Sequence, residues 1–347
     1  MRVLFDIVHP AHVHFYRFMW ESLTRQGHEA LVVSRPKDVT EQLLDEMGIP
    51  HVRATMGPRD SWLGQGMELA RRDALLVRLG RRFKPDIVLT RNPAGVQAAR
   101  LLRVPGVFDT DNGTSAGVHF RLAAAFATVI TTPTGMGEHY GRKHREYQSY
   151  KSLAFLHPKW FSPDPTIRGK LGVEPDERFF LVRFVAMNAS HDHGMVGLSP
   201  AAARRVIGLL SGRGRVFVSS EKELPSDLDA HRLPTAPTEF HSVLAAAELC
   251  VGDSGSVAAE AALLGTPSIF CSSFAGKLSY LNELENRYGL ARNIGHTDEQ
   301  GLLDAVDGWS ANNGLAAEMT RNRDKMLEEK VDLTSWYLDL VDEIVGS

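Results

Sequence analysis

Short apolar segments alternate with amphipathic helical segments along almost the whole of this 347-residue chain. Val3–Val8 is a largely apolar run typical of a buried strand. His12–Gln26 then places apolar side chains three or four residues apart, as on one face of a helix, and Gly27 follows as a stop signal. Because strands separated by helices pair in parallel through crossover connections, this pattern predicts a parallel α/β sheet.

The alternation runs in two series, separated by residues 145–175, which contain aromatic residues and prolines without a regular period. We interpret that stretch as the connection between two domains. The predicted strands are Val3–Val8, Ala30–Ser34, His51–Ala54, Asp86–Thr90, Gly106–Thr110 and Val129–Thr131 before it, and Phe179–Phe184, Val216–Ser220, Leu249–Gly252 and Ser268–Phe270 after it. The fold class is therefore α/β, with two Rossmann-like doubly wound domains facing a cleft and ligands bound outside the carboxyl ends of the strands.

Composition excludes several classes of protein. With only two cysteines, Cys250 and Cys271, the chain has neither a disulfide scaffold nor a four-cysteine zinc site. No apolar run reaches the ~18 residues of a membrane span, so we expect a cytoplasmic protein. The net charge is −3, and the absence of a long basic arm argues against nucleic acid as a partner. The arginines of the amphipathic segment Arg71–Lys84 either face solvent or form a surface for phosphate or for anionic lipid at the inner face of the membrane.

The most informative stretch is Gly252-Asp-Ser-Gly-Ser-Val-Ala-Ala-Glu, where a predicted strand ends and a helix begins. Ser254, Gly255 and Ser256 bring small side chains and free backbone N–H groups to the helix N-terminus, which favours a bound anion. Glu260 lies one turn further on, where it could accept hydrogen bonds from a ribose diol. The alternative is an ordinary helix cap with Glu260 exposed.

A second loop, after the predicted strand Phe179–Phe184, carries polar groups to the same end of the sheet. Arg183, Asn188, Ser190 and His191 suit a diphosphate. The segment His191-Asp-His could also bind a metal, but three residues on one loop do not make the closed ligand set of a typical zinc site. We therefore expect no metal and no cofactor.

Two loops of the first series carry candidate catalytic groups. His9, His12 and His14 follow the first strand, and an imidazole with a pKa near neutrality suits general-base catalysis. His14 is the weakest of the three, since the helix continues past it. Asp109 ends another predicted strand and could pair with a histidine or bind a sugar hydroxyl, whereas Asp111-Asn-Gly is also ordinary turn chemistry.

These segments resemble, in the same order, those of a bacterial and archaeal family called domain of unknown function 354. The matching segments are Asp6-Ile-Val-His-Pro-Ala-His-Val-His-Phe, Tyr150-Lys-Ser-Leu-Ala-Phe-Leu-His-Pro, Asn188-Ala-Ser-His-Asp-His-Gly and Gly252-Asp-Ser-Gly-Ser-Val-Ala-Ala-Glu-Ala-Ala-Leu-Leu-Gly-Thr-Pro. The resemblance implies the GT-B architecture of nucleotide-sugar enzymes. It implies an acceptor domain over residues 1–160, a nucleotide-sugar domain over 161–330, and a final helix, 331–347, that packs back on the first domain.

Two other families sharpen the expectation. Ala11-His12-Val and Gln26-Gly resemble the first loop and first helix end of the peptidoglycan N-acetylglucosaminyl transferase, which implies an acceptor-site or base role for His12. The segment from Glu260 to Pro267 resembles that enzyme's ribose-binding glutamate motif. Asp253 to Glu260 resembles a segment of the non-hydrolysing nucleotide-sugar 2-epimerase, which implies phosphate binding by Asp253 and the serines after it.

The resemblance and the polar loops together predict a metal-independent glycosyltransferase of polysaccharide biosynthesis. Its donor would be a nucleotide-diphosphate sugar, UDP-linked by preference, and its acceptor a glycan or lipid-linked hydroxyl. His12 would take the acceptor proton, with His9 and Asp109 as less favoured candidates. The alternatives are a UDP-sugar 2-epimerase-like enzyme, for which the epimerase's acidic segment has no clean counterpart here, and a non-catalytic nucleotide-sugar binding protein.

Overall fold

The computed structural model describes residues 1–37, 39–54, 62–185, 196–220 and 223–346. The chain divides into two compact units. Unit 1 comprises Met1–Phe155 together with Lys330–Ser347, and unit 2 comprises Leu156–Glu329.

Unit 1 contains a seven-stranded parallel sheet. Its strands are β1 (Arg2–Ile7), β2 (Glu29–Ser34), β3 (His51–Arg53), β4 (Ile87–Thr90), β5 (Gly106–Asp109), β6 (Val129–Pro133) and β7 (His144–Tyr147). They lie in the order β3-β2-β1-β4-β5-β6-β7, and every pair is parallel. The strand order reverses between β1 and β4, and ligands of doubly wound folds bind at the carboxyl ends of the strands beside such a reversal.

Unit 2 contains a five-stranded parallel sheet. Its strands are β8 (Phe179–Phe184), β9 (Arg215–Ser220), β10 (Cys250–Gly252), β11 (Ser268–Cys271) and β12 (Ala291–Ile294). Their order is β12-β11-β10-β8-β9, with the reversal between β8 and β10. Four successive residues of β8, Phe179 to Val182, are fully buried, as expected of a strand covered on both faces.

Helices connect the strands in both units. In chain order they are α1 (Pro10–Arg25), α2 (Thr40–Glu46), α3 (Trp62–Phe83), α4 (Pro93–Leu102), α5 (Val118–Phe126), α6 (Leu153–Leu156), α7 (Ile167–Lys170), α8 (Pro200–Ser211), α9 (Phe240–Ala246), α10 (Gly255–Leu264), α11 (Ser279–Asn286), α12 (Glu299–Ala311), α13 (Leu315–Glu329) and α14 (Leu333–Gly346). Local sequence explains several ends: Ser254 caps α10, and Gly265 ends it in the left-handed conformation, with φ of 85°.

The last helix, α14, packs within unit 1. The ring of Tyr337 lies 5.4 Å from that of Phe15 on α1, in an edge-to-face contact. Tyr337 is buried, and its hydroxyl reaches the end of the sheet. The final segment of the chain therefore contributes a side chain to the carboxyl end of the first sheet.

The structure corrects the predicted start of the connection between the domains. Residues 145–147, which we interpreted as part of the connection between domains, belong to β7, the edge strand that pairs in parallel with β6. The strand is short, and the middle two of its four residues, Arg145 and Glu146, are exposed, so its sequence lacks the apolar run that marks a buried strand.

Candidate functional site

Two histidines lie where the order of the first sheet reverses. β1 ends at Ile7, and His9 is the N-cap of α1, its Nδ1 accepting a hydrogen bond from the Ala11 N–H at 3.2 Å. His12 lies in the first turn of the helix, where its Nδ1 accepts from the Val8 N–H at 3.4 Å. The two rings are 6.0 Å apart, centroid to centroid. The structure therefore places both predicted imidazoles at the reversal point of unit 1.

A network of four charged residues, which we call the Arg91 network, lies beside these histidines. Arg91 directly follows β4, and its guanidinium contacts Asp109 at 3.2 Å and Asp111 at 2.6 Å. Lys151 contacts the other oxygen of Asp111, also at 2.6 Å. Arg91 and Asp109 are buried, whereas Asp111 and Lys151 are partly exposed. Each charge is thus balanced by an opposite charge within hydrogen-bonding distance.

The network sets the protonation of its members. Burial opposes ionisation of Asp111, but Lys151 and Arg91 outweigh it and hold the pKa of that carboxyl well below its usual value. Burial, followed by the positive charge of Arg91 and by His9, lowers the pKa of His12 well below 6.5, while Asp111 opposes the shift. His12 is therefore neutral at physiological pH.

Asp109 is enclosed by hydrogen-bond donors from two neighbouring strands and the last helix. Its Oδ1 accepts from the hydroxyl of Tyr337 at 2.6 Å, of Thr131 at 3.1 Å and of Tyr147 at 3.2 Å. Burial raises the pKa of Asp109, and the charge of Arg91 opposes the increase. Among the described contacts its partners are these hydroxyls and Arg91, not a histidine.

In unit 2, Ser254, Gly255 and Ser256 form the corner between β10 and α10, which we call the serine corner. Ser254 accepts a hydrogen bond from the Val257 N–H at 3.4 Å as the helix cap. The N–H groups of Gly255 and Ser256 have no partner among the described residues, and the side chain of Ser256 is exposed. The corner thus presents backbone donors at the positive end of a ten-residue helix.

Two side chains lie close to the backbone of Gly255. A Cβ atom at this position would lie 2.8 Å from the hydroxyl of Tyr280 and 2.9 Å from a methyl group of Leu278. A larger residue would therefore require the ends of these two side chains to shift.

Asp253, the first residue after β10, is buried. It is 1% exposed, and its Oδ1 accepts from the Val185 N–H at 2.8 Å. Burial raises the pKa of Asp253, and hydrogen bonds from the backbone of Val185 and Leu198 oppose the increase. The carboxyl group therefore binds backbone N–H groups at Val185, directly after β8, and at Leu198.

Glu260 lies on α10 beside a histidine that the sequence did not single out. Its carboxylate is 3.3 Å from Nε2 of His241, on α9, and both side chains are largely buried. Arg183, near the end of β8, donates to Ser219 at 2.7 Å and lies 5.8 Å from the ring of Phe240. A carboxylate, a guanidinium and aromatic rings therefore lie on the face of unit 2 covered by α9 and α10.

The family of the chain follows from a match over most of its length. A family model described as a protein of unknown function, DUF354, matches residues 1–285. The chain belongs to the DUF354 family. The predicted membership is thus confirmed. No curated protein matches the chain.

Solved structures of nucleotide-sugar enzymes share the fold of this DUF354 chain. S. aureus MnaA in its UDP co-structure superposes with a TM-score of 0.67 at 15% identity, covering 100% of this chain and 97% of that one. The UDP-GlcNAc 2-epimerase from Neisseria meningitidis bound to UDP-GlcNAc gives 0.65 at 13% identity, with 95% and 99% covered. Spinosyn rhamnosyltransferase SpnG complexed with thymidine diphosphate gives 0.62 at 16%, with 98% and 100% covered. The predicted fold, two parallel-sheet α/β domains of GT-B type, is confirmed.

Several predicted groups of the DUF354 chain lie outside the described residues, namely Asn188, Ser190 and His191. Within the described ranges no group of three or more histidine, cysteine or acidic side chains is arranged to hold a metal. Every helix in those ranges is too short or too polar to traverse a bilayer.

Sequence reasoning missed Arg91, Lys151, Tyr337 and His241. One signal was available: Arg91 directly follows a buried strand, the position from which side chains reach a ligand in this class of fold. Lys151 lies in the family segment that begins at Tyr150, but its contact with Asp111 is a result of tertiary packing. The same holds for Tyr337 in unit 1 and His241 in unit 2, whose contacts no local pattern marks.

Proposed function

We propose that this protein is a metal-independent glycosyltransferase that moves a sugar from a nucleotide-diphosphate sugar, UDP-linked by preference, to a hydroxyl of a glycan or lipid-linked acceptor in polysaccharide biosynthesis. The observation that carries the proposal is the position of His12 at the reversal point of unit 1, beside a network in which both aspartates already contact cations. Enzymes of the same fold are described with UDP, UDP-GlcNAc and thymidine diphosphate, which supports a nucleotide-sugar donor.

The donor would bind to unit 2 through its diphosphate and its ribose. The N–H groups of Gly255 and Ser256 would donate to the diphosphate, with further donors from Asn188, Ser190 and His191 in the loop after β8. Glu260 would accept hydrogen bonds from the ribose, because its carboxylate is held in place by His241. An exposed helix N-terminus is a common binding site for phosphate groups.

The same corner would stabilise the leaving diphosphate without a metal. Negative charge develops on the leaving group as the sugar bond breaks, and donors that are already fixed at that position need no reorganisation. Loss of one such donor in other enzymes lowers kcat roughly 100- to 1,000-fold.

His12 would remove the acceptor proton. In the resting geometry its Nδ1 accepts from Val8, so Nε2 carries the hydrogen of the neutral ring. To accept a proton at Nε2, the ring takes the other tautomer and gives up this long 3.4 Å hydrogen bond. His9 and Asp109 are less suited, because His9 caps α1 through its Nδ1 and Asp109 is enclosed by three hydroxyls and Arg91.

A thermal-shift screen over nucleoside diphosphates and their sugar conjugates tests the donor. A ligand that binds the folded state raises the midpoint of unfolding by mass action. We expect the largest shift with a uridine diphosphate, and its loss in Glu260→Ala. Absence of a shift with every nucleotide would rule out a nucleotide-sugar enzyme, whereas binding without turnover on any acceptor would indicate the non-catalytic alternative.

Replacing His12 tests the base. Once a donor and an acceptor have been identified, we expect His12→Gln to lower kcat by roughly 100- to 10,000-fold. Glutamine can accept a hydrogen bond from the Val8 N–H as His12 does, but it takes up no proton. Nucleotide affinity should not change. His14→Ala is the matched control and should leave kcat unchanged. His14 lies on the same helix, but its ring packs against that of Phe155, with the ring centroids 5.4 Å apart. Normal turnover by His12→Gln would show that the residue only orients its surroundings.

The dependence of kcat/KM on pH gives a second measure of the base. Since the pKa of His12 is below its usual value, the ring stays neutral as the pH falls through 6.5. We expect the acidic limb of the profile to lie well below pH 6.5. Half-maximal activity at or above that pH would assign the limb to another group.

The second candidate, 2-epimerisation, is favoured by the epimerases among the structural neighbours. Epimerisation at C2 requires removal of the C2 proton and needs no acceptor. Incubation of UDP-GlcNAc alone in D2O, followed by proton NMR, separates the two reactions. If deuterium enters at C2 and the signal of the epimer grows, the activity is 2-epimerisation and not glycosyl transfer.

A further inference from the structure

Unit 1 contains a cavity of about 330 Å³ whose walls carry four arginines. Arg35 directly follows β2, while Arg71, Arg72 and Arg78 lie on α3 and Glu68 completes the charged lining. None of these residues belongs to the Arg91 network. We call this site the arginine cavity.

Two of the arginines are neutralised by carboxylates. Arg35 contacts Glu68 at 3.0 Å, and both side chains are buried. Arg72 donates through Nε to Asp6 at 2.9 Å, again between buried groups. These pairs form a wall in which each guanidinium is held in a fixed orientation by its carboxylate.

The other two arginines keep their charge. Arg71 and Arg78 are exposed and have no ion pair or hydrogen bond among the described residues. They are seven residues apart, so two helical turns place them on the same face of α3. The cavity therefore carries two positive charges that no described carboxylate balances.

We propose that the arginine cavity binds a phosphate group of the acceptor substrate. A guanidinium donates two parallel hydrogen bonds to phosphate oxygens, and two of them match the charge of a phosphate monoester. The volume is at the lower end of the range for ligand sites, so it accommodates a phosphate and the adjoining part of a molecule.

The position of the cavity explains why the phosphate would belong to the acceptor. β2 and β3 lie on one side of β1, and the His12 reversal point lies on the other, between β1 and β4. Arg72, in the cavity wall, donates to Asp6 of β1, and the other oxygen of Asp6 accepts from Thr90 of β4 at 2.8 Å, so the cavity adjoins the two strands between which the order reverses. An acceptor whose phosphate occupies the cavity would place a hydroxyl at His12. This last step rests on the proposed function, whereas phosphate binding itself does not.

The probe for the cavity is sn-glycerol 3-phosphate, titrated calorimetrically at low ionic strength into the protein with and without UDP, whose own binding is titrated separately. We expect Arg71→Gln/Arg78→Gln to weaken binding by roughly 100-fold, about tenfold for each guanidinium that no longer donates to the phosphate. The matched control is Arg81→Gln/Arg82→Gln, which removes the same charge from exposed positions of the same helix outside the cavity lining. It should bind like the unaltered protein.

Equal weakening in both double variants, or no binding to the unaltered protein, would overturn the proposal. Unchanged midpoints of thermal unfolding in the free variants show that they fold. If UDP fails to bind while glycerol 3-phosphate binds as expected, the proposed function is wrong and phosphate binding in the cavity is supported. If UDP binds and glycerol 3-phosphate does not, only the proposal for the cavity is wrong.

Flotation with phosphatidylcholine vesicles containing phosphatidic acid distinguishes a lipid headgroup from a soluble phosphate ester. Vesicle binding that glycerol 3-phosphate displaces, and that Arg71→Gln/Arg78→Gln abolishes, supports the cavity with a lipid as its source. Glycerol 3-phosphate binding without vesicle binding supports it with a soluble ester. Vesicle binding that requires Arg81 and Arg82, and that glycerol 3-phosphate does not displace, would show that the lipid contacts the charged face of α3 and not the cavity. That result would overturn the proposal.

Discussion

The reversal point of unit 1 holds four charged side chains that contact one another, whereas the serine corner at the reversal point of unit 2 presents small residues and backbone N–H groups. In unit 1, Arg91 connects two aspartates, and the last helix adds the hydroxyl of Tyr337. In unit 2, the serine corner presents donors that belong to the backbone itself. The first site depends on partners from distant parts of the chain, and the second on a few consecutive residues. We therefore expect changes in unit 1 to affect stability first, and changes at the serine corner to affect binding first.

The largest effect should follow from Arg91→Met, which keeps the length of the side chain and removes its charge. Asp109 would then lack its ion-pair partner in a buried position, and Asp111 would retain only Lys151. Removing one partner of a buried ion pair destabilises a fold by about 3–5 kcal/mol. Urea denaturation followed by circular dichroism measures the loss.

Arg81→Met is the control for that measurement, because Arg81 is exposed and lies on a helix of the same unit. It should change the free energy of unfolding by less than about 0.5 kcal/mol. If Arg91→Met lowers the free energy of unfolding by less than about 1 kcal/mol, solvent stabilises the two aspartates without Arg91.

Tyr337→Phe should have the next largest effect. The hydroxyl donates to Asp109 at 2.6 Å and lies 2.6 Å from the hydroxyl of Thr131. Because hydrogen bonds to charged groups contribute roughly 1.5–3 kcal/mol, we expect a loss of stability in that range. Tyr147→Phe is the comparison, since its longer bond of 3.2 Å to the same oxygen predicts a smaller loss. Equal losses would mean that both hydroxyls act through packing.

The contrast between the two units also explains what the sequence predicts. The serine corner and Glu260 form one continuous segment, so strand end, cap and glycine are all visible in nine residues. The Arg91 network joins side chains that are 60 residues apart along the chain, from Arg91 to Lys151. The periodicity of the sequence does not predict contacts at that separation. Apolar runs predict most of the strands, whereas β7 and β12 were missed, because each has polar residues along half of its length or more.

Asp253 is a predicted ligand residue whose surroundings in the fold are not visible in the motif. The segment resembles one that holds phosphate, and in the structure this carboxyl group is buried and accepts from the Val185 N–H. Such a contact depends on the folded chain, so the order of residues does not reveal it.

Asp253→Ala should destabilise the protein by about 1–3 kcal/mol, because it leaves buried N–H groups without an acceptor. Asp253→Asn retains a carbonyl oxygen for Val185, so we expect a loss below about 1 kcal/mol and unchanged UDP affinity. Thermal unfolding and a UDP titration provide the two readouts. A large drop in UDP affinity for the asparagine variant, without a change in stability, would contradict this expectation and show that the carboxylate contacts the nucleotide.

The smallest effect, and one that depends on pH, is expected at Asp73 of unit 1. Burial and the nearby charge of Asp6 raise the pKa of Asp73 to about 6, against the opposing charge of Arg72. Between about pH 4 and 6 the unfolded chain has released this proton while the folded chain still holds it, so stability falls as the pH rises through that window. Asp73→Asn removes the effect, because asparagine does not titrate.

We therefore expect Asp73→Asn to unfold like the unaltered protein at pH 4 and to be more stable at pH 8, by about 1 kcal/mol once solvent screening of this partly exposed group is allowed for. Asp176→Asn, at an exposed position of unit 2, should show no such dependence on pH. A stability gain at Asp73 that is equal at pH 4 and pH 8 would exclude ionisation as its cause, and would leave packing of the amide as the reason.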